Sequence, residues 1–200
     1  MQPIIGLFVG LCFTLALPAQ AADTTPPPAT TTPPPNSQVN PPETIDDQTF
    51  VQKAGMSGAT EIAASKRAVA LSASEKVKTF ARQMIKDHTK VAGQLKATAS
   101  KAGLQPPGDE PDPAVMSKLS GLTGADFDKA YIEHVAVKAH ADAVSLFSLQ
   151  AASGKNATMK TWAKRTLPAL QHHLTMAQKL AKDSNVTVQP SDTGTQNRTY

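Results

Sequence analysis

Along four long stretches of the chain, apolar residues return every three or four positions, the spacing that aligns side chains on one face of an α-helix. The first stretch runs from about Asp47 to Leu71, with Phe50, Ala54, Ser57, Glu61, Ala64, Ala68 and Leu71 on one stripe. A second continues to about Ser100 and carries Val77, Ala81, Met84, His88, Val91 and Leu95. The third begins near Thr123 and ends before Gly154, with Glu133, Val137, His140, Val144, Phe147 and Ala151. The fourth, from about Asn156 to Asp183, presents Met159, Ala163, Thr166, Leu170, His173, Ala177 and Leu180. No alternating strand pattern is present, so the chain itself cannot be an outer-membrane barrel.

Local signals place the ends of these helices. Ser72 or Ser74 can cap the second, and Ser72 with Glu75 has capping-box spacing, as does Thr123 with Asp126. Gly103 is a stop signal, and Pro168 inside the fourth helix removes one backbone bond and should kink it. Short connections after Leu71 and around Gly154 make each neighbouring pair an antiparallel hairpin. The link from Gly103 to Leu122 is long and carries Pro106, Pro107, Pro111 and Pro113, with a short helical turn expected around Ala114 to Leu119. Such a link can run the length of a 28-residue helix, about 42 Å. The expected fold is all-α: a ferritin-like four-helix bundle, two antiparallel hairpins joined by a long crossover.

The flanks have another character. Residues 1–21 hold an apolar run from Ile4 to Leu17, followed by Ala19-Gln20-Ala21, and read as a signal peptide cleaved before Ala22. The run is too short for a comfortable membrane span, and Cys12 leaves with it. Residues 22–45 read as a disordered Pro/Thr-rich tether and 184–200 as a disordered tail, leaving 46–183 for the bundle. Export to the periplasm follows, with association with the outer membrane as one variant. The formal charge of +4 is modest and the lysines are dispersed, so nucleic acid is not an expected partner.

Candidate chemistry lies in the stripes themselves. Each has one polar residue near its middle: Glu61, His88, His140 and His173. Their spacing turns all four toward the bundle axis, at heights that agree to within about 6 Å. A buried carboxylate and buried imidazoles each need partners. Three imidazoles and one carboxylate form a shell for zinc, copper, iron or manganese, with donors expected about 3 to 4 Å apart. The competing reading is a hydrogen-bonded cluster without metal. His134 and His172 fall off this face, Asp87 and Asp142 read as surface charges with an outer role open to either, and Glu133 is a candidate second carboxylate. Trp162 and Tyr131 read as packing anchors. No nucleophile set, phosphate loop or CxxC motif is present.

Four blocks, FVQKAGMSGATEIAASKRA (Phe50 to Ala68), VKTFARQMIKDHTK (Val77 to Lys90), FDKAYIEHVAVKAHADAVSLF (Phe127 to Phe147) and LPALQHHLTMAQKL (Leu167 to Leu180), carry a family resemblance. The chain resembles the bacterial exported family known as domain of unknown function 4142, whose members are often labelled predicted outer membrane proteins. The resemblance implies a ferritin-like fold and an envelope location, and no established activity. The positions matching within its blocks are the same Glu61, His88, His140 and His173. A di-iron carboxylate site needs Glu-x-x-His on two helices, whereas Ile85 and Leu170 stand three residues before His88 and His173. A mononuclear, His-rich site fits better. The expectation is therefore a periplasmic bundle that binds a divalent transition metal for buffering or stress protection. A metal-free module that binds an envelope partner is the alternative. Four protein donors would close a tetrahedral zinc site, which argues against an enzyme.

Overall fold

Asp46 starts the first helix by accepting a hydrogen bond from the Thr49 amide, satisfying one of the free donors at the helix start. In the computed structural model, which describes residues 44–188, this helix, α1, spans Asp47–Leu71. Ser74, rather than Ser72, caps α2 (Glu75–Lys101), while Ser72 Oγ accepts from the Ser74 amide within the turn. Gly103, at φ +71°, ends α2 in the left-handed conformation that glycine adopts at least cost. Within the crossover, α3 (Pro113–Lys118) is capped by Asp112.

The second hairpin begins with α4 (Gly124–Tyr131), whose N-cap residue Thr123 makes no side-chain cap bond. The helical rod then continues through a π segment (Ile132–Ala139) into α5 (His140–Ser153). Asn156 caps α6 (Ala157–Asp183), accepting from Thr158 and Met159, and Pro168 lies exposed within this helix. Helix α1 packs along α2, and α5 along α6; α2 also meets α6, while the α4–α5 rod meets α1. The crossover is seated on α1 closely enough that a side-chain carbon at Gly55 would overlap Pro107.

The packed body is slightly longer than the stripes indicate. Ile45 is buried against the Phe50 end of the core, and Val186 and Val188 pack at the opposite end, with the Val186 amide bonded to the Ala181 carbonyl. Residues 184–188, expected from the sequence to belong to the tail, are thus held against the bundle by Val186 and Val188. Isolated apolar residues in polar text give no periodicity, so only packing reveals them. The expected signal peptide, most of the expected tether and residues 189–200 lie outside the described residues. Among the described residues, no helix is long and apolar enough to cross a membrane.

Candidate metal centre

Two apolar clusters make the core. One contains Phe80, Met84, Phe127, Tyr131, Ile132 and Val135; the other contains Phe50, Val51, Leu95, Phe147, Met159 and Leu170. Every long helix passes from one cluster to the other, and the residue at the passage is polar. Helix α1 crosses between Ala54 and Ala64 at Glu61, and α2 between Met84 and Leu95 at His88. The rod crosses between Val137 and Ala143 at His140, and α6 between Leu170 and Ala177 at His173. All four are buried, so the bundle carries a polar belt between two dry halves.

The polar atoms of the belt converge. Glu61 Oε2 is 2.6 Å from His88 Nε2 and 3.5 Å from His140 Nε2, and the two Nε2 atoms are 3.3 Å apart. One ring nitrogen from each of His88, His140 and His173 lies within 4.8 Å of the others. Ring centroids are separated by 5.3, 5.3 and 5.6 Å. Ligands bonded at about 2.0–2.1 Å to one tetrahedral ion sit roughly 3.3 Å from each other. The separations among Glu61, His88 and His140 are close to this, whereas the set that includes His173 spans up to 4.8 Å. Glu61 Oε1 accepts from Ser57 Oγ at 3.4 Å, whereas the buried Oε2 has no aligned hydrogen-bond donor.

Hydrogen-bond partners assign the tautomers. His140 Nδ1–H donates to the Val135 carbonyl at 3.3 Å, which leaves the Nε2 lone pair facing Glu61 and His88. His173 Nε2–H donates to Asp87 Oδ2 at 2.9 Å, and its Nδ1 is buried without a partner. Asp87 also accepts from Gln83 at 2.7 Å. Carboxylate and carbonyl groups behind imidazoles in this way fix the ring orientation and raise basicity at the free nitrogen.

Charge follows burial and neighbours. Burial alone would raise the Glu61 carboxyl, but the imidazoles of His140 and His88 outweigh it and hold the group down at about 2. Burial opposes a charge on His88, yet the Glu61 carboxylate overrides it and raises His88 above its ordinary value. His140 is pushed down by burial despite Glu61, and His173 by burial reinforced by His88. Asp87 is held below the usual carboxylate range: hydrogen bonds from Gln83 and His173 overcome its desolvation. The Glu61 carboxylate thus favours the charged form of His88, while burial favours the neutral forms of His140 and His173.

Other expectations separate cleanly. His172 is exposed and His134 half-buried, and neither joins the cluster. Ile85 is half-buried and Leu170 buried, at the positions where a di-iron protein needs glutamate. Glu133 and Val144, expected on the core stripe, are only half-buried. The π segment explains Glu133: its wider repeat shifts the inward face before His140 by about one residue. Val135, Ala136, Ile132 and Tyr131 take the inward positions instead. On the other side of His140 it is Ala143, not Val144, that enters the core. Tyr131 is fully buried, its hydroxyl 2.7 Å from Ser65 Oγ, and half-buried Trp162 packs against Phe50 and Phe147.

An all-helical bundle with a buried imidazole cluster is thus the class of molecule. The chain belongs to the family described as Domain of unknown function (DUF4142), whose model matches residues 30–180. No curated protein matches it. Among solved structures it is similar in fold to a DUF305 protein from Streptomyces coelicolor described as secreted, at 12% identity and a TM-score of 0.59, over 70% of this chain and 94% of that one. It is also similar to CopM in its Cu(II)-bound form, at 15% identity and a TM-score of 0.57, over 70% of this chain and 99% of that one.

Proposed function

We propose that this is an exported bundle protein that holds one divalent transition metal in its core, with Glu61, His88, His140 and His173 as donors, for metal buffering or stress protection. The observation that supports it best is the convergence of one carboxylate oxygen and three imidazoles, one from each long helix, in a belt between two apolar clusters. Imidazole-rich sites suit copper and zinc, and the general affinity order favours Cu(II). The fold likeness to a protein solved with Cu(II) puts copper first among the metals to test, ahead of zinc, iron and manganese. A single buried carboxylate fits a mononuclear site rather than a bridged pair. Binding would replace the proton that His88 shares with Glu61, so metal and proton compete for the same space.

Elemental analysis of untagged protein, purified from cells grown in metal-replete medium, should give about one metal per chain. Metal should raise the melting temperature and chelator lower it, since binding adds about 2.7 kcal/mol of stability when free metal is a hundredfold above Kd. The gain should fade below about pH 6.5, where free imidazoles protonate. His140→Ala should abolish the response and His172→Ala should keep it; equal responses would mean adventitious surface binding. A second reading draws on the same pairs: Glu61–His88 and His173–Asp87 lie in close contact without an ion. If no variant responds to metal, the belt is structural and the chain is a metal-free module that binds an envelope partner.

A further inference from the structure

The belt is not closed equally on all sides. Glu61 and His140 expose 1% of their side chains, His88 4% and His173 5%, whereas Asp87, bonded to His173, exposes 31%. Asp87 and His173 line a cavity of about 780 Å³ between α2 and α6, together with Thr79, Gln83, His172 and Met176. Three other clefts, of about 520 Å³, about 480 Å³ beside α1 and α2, and about 350 Å³ beside α1 and α5, touch none of the four belt residues.

We propose that the α2–α6 cavity is the path by which a divalent metal reaches and leaves the belt, with Asp87 handing it to His173. This rests on the metal-site reading and adds its route. Along the cavity a cation meets the carboxylates of Glu75, Asp87 and Asp183 against the ammonium groups of Lys76 and Lys179. Lys179 is already paired with Asp183 at 2.6 Å and Glu75 with Lys78 at 3.0 Å, which leaves Asp87 as the carboxylate with no lysine or arginine partner among the described residues. The His172 imidazole and the Met176 thioether are further donors on the wall, soft enough for a late first-row metal. Exposure then falls stepwise, from Asp87 to His173 to the deepest pair, Glu61 and His140. An ion moving inward exchanges water for one protein donor at a time, instead of losing its whole hydration shell at once.

The route separates rate from affinity. Thr79 is exposed at the cavity wall and touches no belt residue by hydrogen bond, so Thr79→Trp would fill the path and leave the donors intact. Ala92→Trp, in the cleft beside α1, is the matched control. With Co(II) as probe, followed by its visible absorbance in stopped flow and released into excess EDTA, T79W should slow uptake and release by tenfold or more. Its stoichiometry and Kd should stay those of the parent, and A92W should exchange at the parental rate. Asp87→Asn should slow uptake at least threefold. Parental exchange rates in T79W, or slowing in A92W instead, would overturn the route while leaving the site reading in place. A parent chain that takes up no Co(II), Cu(II) or Zn(II) would remove both.

Discussion

The two hairpins deliver their halves of the belt differently. In the first, Glu61 and His88 come from regular helices and meet as a charged pair 2.6 Å apart. In the second, the backbone ladder is altered near the belt, by a π segment in one helix and by a proline without an amide hydrogen in the other. The π segment ends immediately before His140, and Pro168 lies five residues before His173. Burial favours the neutral form of these two histidines, and each has one ring nitrogen tied to an outer acceptor, Val135 or Asp87. One hairpin thus supplies charge and the other supplies oriented lone pairs. Regular helices suffice for an attractive pair, because opposite charges find each other through side-chain rotation. Aiming a neutral imidazole needs an acceptor behind it, and a π segment is one means of placing a backbone carbonyl there.

Breaking the charged half should cost most. Glu61→Ala leaves His88 buried without its counter-ion, and one-sided removal of such a partner costs roughly 3 kcal/mol. Urea denaturation of the metal-free protein checks this, with His88→Ala and the double variant completing a cycle that isolates the coupling. Additive single losses would mean that the pair is not coupled, and the contrast between hairpins would fail.

The oriented half should respond in affinity rather than stability. Deleting exposed Lys138 removes the extra residue that the π segment accommodates, restoring a regular helix. His140 would lose its Val135 acceptor, and metal affinity should fall about tenfold or more, as for other outer partners of a ligand. Far-UV circular dichroism should be unchanged, and titration with Zn(II) against a chromophoric chelator reads the affinity. Unaltered affinity would show that the π segment serves packing alone.

The smallest effect is the pH profile of the metal-free protein, and the two halves bend it in opposite directions. His140 and His173 have lowered folded values, so their contribution is present above about 6.5 and is lost as pH falls below it. Glu61 loses its contribution lower still, as pH drops from 4.5 toward about 2. His88 is raised: its contribution is full below 6.5 and is lost as pH climbs through the folded value. Stability should therefore peak between the two limbs, near neutrality. Glu61→Ala should flatten the alkaline limb, because the carboxylate is the main group raising His88, and should also remove the acid-side loss between 4.5 and about 2. A profile with the alkaline limb intact in that variant would assign the limb to another group.

Much of this was legible in the residue order. Glu61, His88, His140 and His173 sit at three- and four-residue spacings from alanines, valines and leucines, and burial of one side of a helix makes that spacing visible. The helix ends at Ser74 and Gly103 followed from a side chain that caps and from a residue tolerant of positive φ. Two features were not legible. A π repeat has no residue signature in IEHVAVKA, so Glu133 was placed one step too far inward. Asp87 adjoins His88 on an exposed flank, and its bond to His173 depends on how α2 and α6 cross, a tertiary fact with no local trace.

The belt also has a mechanical consequence. On both sides of it the core is rich in alanine: Ala54, Ala64, Ala68, Ala81, Ala99, Ala143, Ala163 and Ala177 are all buried. Alanine facing alanine offers little resistance to axial slippage, since a shift of one heptad, about 10.5 Å, exchanges one small methyl for another. The same shift would drive Glu61 into aliphatic surroundings with no imidazole to meet it, a cost that grows with every helix displaced. The belt acts as an alignment pin, adding to large side chains such as Phe50, Tyr131 and Phe147 in setting the height at which the four rods stop sliding past one another.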